Sequence, residues 1–249
     1  YVGHELAAML ALVGAVNGVA TVAAPVGGGM LAALGGWHAI FWFLLALGAV
    51  LLAACLWFRE SLPVAQRTQA NWKTLSGTFL DVLRNRAYLS YILQYGFAMS
   101  VLFVNIASAP FIMQQHYGLT PLQFSLCFGI NAVGMVVAST LVAKLPSLQH
   151  ALHLGNNGLL VVSLLLLTAL STKCDFWLYE LLLFCLLFLV GLSFTSASAL
   201  AMDCERRNAG VASALLGVIA FAFGGIVSPL VGLGDIMLTT GILFFAGSL

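Results

Sequence analysis

The chain has 249 residues, of which 62% are apolar and only 7% charged, and its formal net charge is +1. One soluble core cannot bury that much apolar surface, so with a mean hydropathy of +1.07 the solvent for most of it is lipid. The near-zero charge and the lack of a basic cluster exclude nucleic acid as a partner.

The apolar stretches run to about twenty residues, the length of a helix crossing about 30 Å of hydrocarbon. Runs such as Leu159 to Leu170 and Leu181 to Leu192 show no alternation, so they read as helices and not as barrel strands. In chain order the predicted spans are Leu6 to Leu31, His38 to Trp57, Tyr88 to Met113, Leu122 to Leu145, Leu152 to Leu170, Phe176 to Met202, Ala209 to Leu233 and Ile236 to Leu249, the last too short to cross. The one long polar segment, Arg59 to Arg86, follows the second span, and the other connections are a few residues each. No signal-peptide n-region precedes the first span and Leu249 falls inside an apolar run, so both ends are expected to be cut.

Basic residues set the orientation, because Lys and Arg are retained on the cytoplasmic side of short loops. Arg59, Arg67, Lys73, Arg84, Arg86, Lys144, Arg206 and Arg207 fall on one face, and Lys173 alone on the other. The first span is therefore predicted to start in the cytoplasm, with the 59–87 segment cytoplasmic. Aligning Pro25 with Pro229, a shift of 204 residues, brings small residues together: Gly18 with Ala222, Ala20 with Gly224, Thr21 with Gly225, Ala24 with Ser228, and Gly28 with Gly232. The first span then corresponds to the seventh, six helices later. If the repeating unit is six helices and the first span its fifth, four helices precede this sequence.

The Gly-rich stretch ending Ala24-Pro25-Val26-Gly27-Gly28-Gly29 resembles the antiporter signature of the major facilitator superfamily, with Ala11, Ala20 and Ala24 standing where the family has glycine. Three further patches resemble drug:proton antiporters of the bicyclomycin-resistance (Bcr/CflA) type: Gly36-Trp37-His38-Ala39-Ile40-Phe41-Trp42-Phe43, then Ala107-Ser108-Ala109-Pro110-Phe111 with Tyr117-Gly118-Leu119-Thr120, and Ala209 to Gly217. The resemblance implies an all-α polytopic major facilitator fold, here the fifth to the twelfth of twelve helices. It divides the chain into residues 1–58, the last two helices of the N-terminal half; 59–87, a cytoplasmic linker; and 88–249, the C-terminal half with its last helix truncated. It implies a multi-pass protein of the bacterial inner membrane, monomeric when full-length, that exports drugs or other small molecules by proton antiport through alternating access. Its partners are then a small-molecule substrate, protons and the lipid bilayer, with no cofactor.

Within the signature, Pro25 has no amide hydrogen to donate to the Thr21 carbonyl, so a bend is expected there, with the Thr21 hydroxyl helping to satisfy the turn. Gly14, Gly18, Ala20, Ala24 and Gly28 expose backbone for close helix approach. By resemblance, Thr21, Ala24, Pro25, Gly28 and Gly29 form a gate against a helix of the other half; tight packing without gating is the competing reading.

In the third span Tyr91, Gln94, Ala98, Val101, Asn105 and Ser108 share one helical face, as do Cys127, Asn131, Gly134 and Ala138 in the fourth and Ser193, Ser196 and Leu200 in the sixth. Such polar groups line either a cavity or a helix contact. Tyr91, Gln94, Asn105, Ser108, Asn131 and Ser196 are thus the candidate substrate-binding residues, with Tyr95, Phe97 and Phe103 as candidate apolar walls. Proton coupling needs an ionisable group in the bundle, and Glu180, a turn and a half into the sixth span, is the candidate by position. Phe176, Trp177 and Tyr179 beside it mark an interfacial belt, so Glu180 reaching headgroup water is the competing reading. In the resembled antiporters the coupling acid and arginine lie on the first and fourth helices. His38, His116, His150 and His153 and the five cysteines show no metal-ligand spacing. An intramembrane enzyme would need a catalytic cluster at membrane depth, which the spans hardly supply. Two further readings stand beside drug export: transport of a sugar, nucleoside or amino acid, and an inactive fragment.

Reporter fusions at Lys73, Lys144 and Arg206 are expected to read cytoplasmic, and those at Gly36, His116 and Lys173 external. Reversal at two of these sites would show that the spans are miscounted.

Overall fold

The computed structural model describes residues 4–57 and 72–249. Helix α1 runs from His4 to Trp57, α2 from Trp72 to Arg84, α3 from Arg86 to Pro110, α4 from Pro121 to Leu141, α5 from Leu148 to Ser171, α6 from Phe176 to Cys204, α7 from Ala209 to Leu230 and α8 from Ile236 to Ala246. Six helical stretches among the described residues are long and apolar enough to cross a membrane: Leu34–Trp57, Arg86–His116, Pro121–Lys144, Leu148–Ser171, Phe176–Cys204 and Arg206–Leu230.

Three features refine the sequence reading. The first two spans are two helices that meet at a kink, where the sequence places the boundary: within α1 the backbone leaves helical geometry at Gly35 and Gly36, and Gly36 takes φ 64 and ψ −166. A side chain is disfavoured at that φ, so glycine permits the change of direction without a loop. The polar segment before α3 contains the amphipathic helix α2, which buries Val82 and leaves Leu80 and Leu83 exposed beside Arg84. Beyond Pro110, which cannot donate to the preceding turn, the third span continues as a π-helical stretch, Phe111–His116, closed by the Tyr117 N–H donating to the Ile112 carbonyl at 3.1 Å.

The helix starts follow from local chemistry. Asn85, Thr120, Ser147, Asp175 and Asp235 each accept backbone N–H bonds at the start of the helix that follows, and Thr120 with Gln123 forms a full capping box. Asp235 accepts from Leu238 and Met237, and these bonds hold its carboxyl below the usual carboxylate range. Short connections suffice because each cap satisfies the donors that the helix start leaves open.

Helix α6 is the hub of the bundle, packing against α5, α4 and α3, while α3 also packs on α7 and α8 on α5. Leu183, Leu186 and Val190 of α6 are fully buried among Val101, Val104, Leu159 and Leu166. Small residues set the approach. A Cβ on Gly155 would stand 2.3 Å from Ser193 Oγ and 3.0 Å from its backbone nitrogen, and one on Gly191 would stand 2.5 Å from the Met135 carbonyl oxygen. Bulky groups fill other notches: Phe184 sits over Gly134, Leu189 over Gly158 and Phe103 over Gly224. The Ser139 hydroxyl links the same helices, donating to the Met135 carbonyl at 2.9 Å and accepting from Thr195 at 2.9 Å. The outer surface is apolar, with Leu122, Leu126, Ile130, Leu164, Leu165, Leu181, Phe221 and Ile226 exposed as a lipid-facing helix requires.

Gly191→Val is expected to lower the melting temperature of the purified protein by several degrees, since the new side chain meets backbone that cannot step aside, at a cost of about 1–3 kcal/mol. Gly77→Ala, which meets nothing within 4 Å inside α2, is expected to be neutral or slightly stabilising, by up to about 1 kcal/mol. Thermal unfolding in detergent, followed by tryptophan fluorescence, separates the two.

Candidate functional site

Helix α1 meets α4 near the end of the glycine run. A Cβ on Gly29 would lie 2.9 Å from Ser125 Oγ, whereas Gly27 and Gly28 have nothing within 4 Å. Ser125 is buried and turns its hydroxyl back onto the Pro121 carbonyl at 2.9 Å, which keeps its polar atom satisfied at the contact. Ala24 is exposed, and the side chains of Thr21 and Pro25 lie outside the described residues. The parallel with the seventh span is partial in backbone terms, because α7 ends one residue after Pro229 while α1 continues well past position 25.

The candidate binding residues fall into three places. Tyr91 and Gln94 line a cleft of about 290 Å³ with Ala87, Ser90, Gln149, Leu152 and His153, between the start of α3 and the start of α5. Gln94 donates to Ser90 Oγ at 3.2 Å and accepts from Asn156 Nδ2 at 2.9 Å. Asn105, Ser108 and Ser196 are instead fully enclosed between helices, and Asn105 Oδ1, Ser108 Oγ and Ser196 Oγ have no hydrogen-bond partner. Asn131 stands apart from both groups. Its Nδ2 donates to Glu180 Oε1 at 3.0 Å, and the residue is only 3% exposed.

That last pair places Glu180 differently from its position in the chain. Contacts advance together along α4 and α6, from Asn131 with Glu180, through Gly134 with Phe184, to Ser139 with Thr195. The helices are therefore parallel but offset, and a residue about 6 Å into α6 meets one about 15 Å into α4. Glu180 Oε2 is buried without a partner, so this carboxyl turns into the bundle and not toward headgroup water. Beside the pair, Leu126, Ile130, Val133, Phe184 and Phe188 line an apolar groove of about 470 Å³.

Sequence reasoning missed a second polar junction, where the α2–α3 elbow meets the connection between α6 and α7. Asn85 Nδ2 donates to Glu205 Oε1 at 2.7 Å, Asn208 Nδ2 donates to Glu205 Oε2 at 3.1 Å, and the buried Tyr88 hydroxyl donates to the Ala212 carbonyl at 2.8 Å. Nothing in the sequence pairs residues 120 apart. Gln94 was a candidate from the sequence, but its pairing with Asn156, a polar residue inside an apolar span, was not legible there.

Membrane-length helices around one central helix, polar groups turned inward and an apolar exterior define a polytopic helical membrane protein. The family profile described as Major Facilitator Superfamily matches residues 1–229, and the chain belongs to that family. It is 31% identical over 241 residues to the uncharacterized MFS-type transporter YdgK of Bacillus subtilis, covering 94% of this chain and 60% of the relative. It is 27% identical to a bicyclomycin resistance protein homolog of Haemophilus influenzae, covering 98% of this chain and 62% of that protein. To the multidrug resistance protein MdtL of Escherichia coli it is 24% identical, over 95% of this chain and 60% of that protein. The chain thus spans about 60% of the length of these curated relatives.

Glu205→Ala is expected to destabilise the protein by about 1.5–3 kcal/mol, because it strips a charged acceptor from two amide donors. Asp203→Ala removes only the exposed ion pair with Arg206 and is expected to cost about 0–1 kcal/mol. Melting temperatures of the two variants in detergent give the comparison.

Proposed function

We propose that the protein to which this chain belongs exports drug-like small molecules across the bacterial inner membrane by proton antiport. The observation that carries the reading is similarity along nearly the whole chain to a bicyclomycin resistance protein homolog and to a multidrug resistance protein. Transport by a major facilitator requires two halves that rock about a central site. Helix α1 belongs to the first half and α4 to the second in this reading, so their meeting at Gly29 and Ser125 is a seam between halves.

The seam's chemistry suits a moving contact. Gly29 presents bare backbone to Ser125, and the Ser125 hydroxyl is satisfied within its own helix, so parting these two residues breaks no hydrogen bond. Thr21, Ala24, Pro25, Gly28 and Gly29 form the gating stretch, with Gly29 making the contact. Tyr91, Gln94, Asn105, Ser108, Asn131 and Ser196 remain the proposed polar contacts for substrate, and among them Gln94 and Asn131 already hold partners that a substrate would exchange.

Gly29→Leu in the complete gene product is expected to abolish accumulation of a cationic dye or a neutral antibiotic in everted vesicles energised by a pH gradient, with membrane protein level unchanged. Gly29→Ala should lower the rate, and adding Ser125→Gly should restore it by removing the atom that the new Cβ meets. Parallel loss of protein and activity, with no rescue, would identify a packing contact instead of a gate.

A further inference from the structure

We propose that Glu180 is a proton-binding site within the second half of the protein, with Asn131 as its positioning residue. The inference rests on the antiport reading for its role in transport, but not for the existence of the site.

The geometry begins with an incomplete set of hydrogen bonds. Asn131 Nδ2 donates to Glu180 Oε1, while Glu180 Oε2 and Asn131 Oδ1 are both buried acceptors without a donor. Buried polar groups are ordinarily paired, and an unpaired carboxylate oxygen is the most costly kind to leave. A proton on Oε2 removes the charge and converts that acceptor into a donor. Asn131 cannot itself titrate, so its amide holds one oxygen and leaves the other to take the proton.

Among the described residues no cation neutralises the carboxylate instead. Among the described residues the one ion pair is that of Arg206 with Asp203, and no Lys, Arg or His pairs with Glu180. The titratable groups that face it are Cys127 from α4 and Tyr179 from its own helix, with Tyr117 and Cys174 beyond Tyr179. None of these carries a positive charge.

Helix geometry gives the site access to both neighbours. On α6, Ser193 and Leu189 face α5, Phe194 faces Tyr95 of α3, and Phe184 and Gly191 face α4. At about 100° per residue, Glu180 lies on the arc between the α3 and α4 contacts, with Leu187 and Ser198. Its partner Asn131 stands on the same helix as Ser125, which meets Gly29 of α1. Loading or release of a proton at Glu180 therefore acts on the helix that forms the seam.

The test uses the complete protein in lipid, by infrared difference spectroscopy between acidic and alkaline pH and by vesicle transport. A protonated-carboxyl band that titrates in the wild type and is missing in Glu180→Gln is expected, and its midpoint should move in Asn131→Ala, which deprives Oε1 of its donor. Glu180→Gln should also lose gradient-driven export while keeping substrate exchange without a gradient, which shows that the variant is folded and binds. A carboxyl difference spectrum unchanged by Glu180→Gln would overturn the site, and a midpoint unmoved in Asn131→Ala would overturn the positioning role. If the band behaves as expected but wild-type export ignores the gradient, the antiport reading fails and the proton site stands.

Discussion

Close approach of helices at residues without side chains is the constraint on which this bundle depends. In lipid, apolar side chains gain little by leaving the solvent for a neighbouring helix, so association relies on dispersion contact and on side-chain hydrogen bonds between helices brought near each other. The contacts of α6 show the consequence. Gly155 and Gly158 on α5 and Gly134 on α4 receive Ser193, Leu189 and Phe184, and Gly191 on α6 itself lies against the Met135 carbonyl. Each notch fixes the depth and rotation of one helix against the next, and together they refer α4 and α5 to α6, on which α3 also packs.

That arrangement also decides where polarity can survive. A side chain on α6 that points between two contact faces is screened from lipid by both neighbours, and this is the position of Glu180. The offset between α4 and α6 brings it to Asn131, a residue well down the other helix. At the far end of α6, Glu205 gathers the amides of Asn85 and Asn208, tying the α2–α3 elbow to the start of α7. One acid is held by a single amide and keeps an unpaired oxygen; the other has both oxygens occupied. The second suits a fixed structural junction and the first a group whose bonding can change.

The seam between α1 and α4 obeys the same rule with a different balance. Gly29 allows contact, yet Ser125 commits its hydroxyl to its own helix, so this contact involves no hydrogen bond between them. The bundle from α3 to the C-terminus is instead laced together by Ser139 with Thr195, Gln94 with Asn156 and Ser163 with Ser248. In the proposed reading, a tied bundle beside a contact that parts easily suits two halves that rock.

Length and apolar runs determined the helices from the sequence alone, because a span in lipid must satisfy its backbone internally. The family was legible too, in the Ala24 to Gly29 ending and in the patches around Gly36, Ala107 and Ala209. The amphipathic helix α2 was lost in its polar composition, whereas the break between the first two spans, at Gly35 and Gly36, fell where the sequence put it. Only the tertiary structure sorted the polar faces. Tyr91 and Gln94 share a helical stripe with Asn105 and Ser108, yet one pair lines a cleft and the other is enclosed, because different neighbours cover the two ends of α3. Position in the chain puts Glu180 near a surface; the stagger of two parallel helices puts it against Asn131, since depth in a bundle is set by where a neighbour lies and not by distance from a helix end.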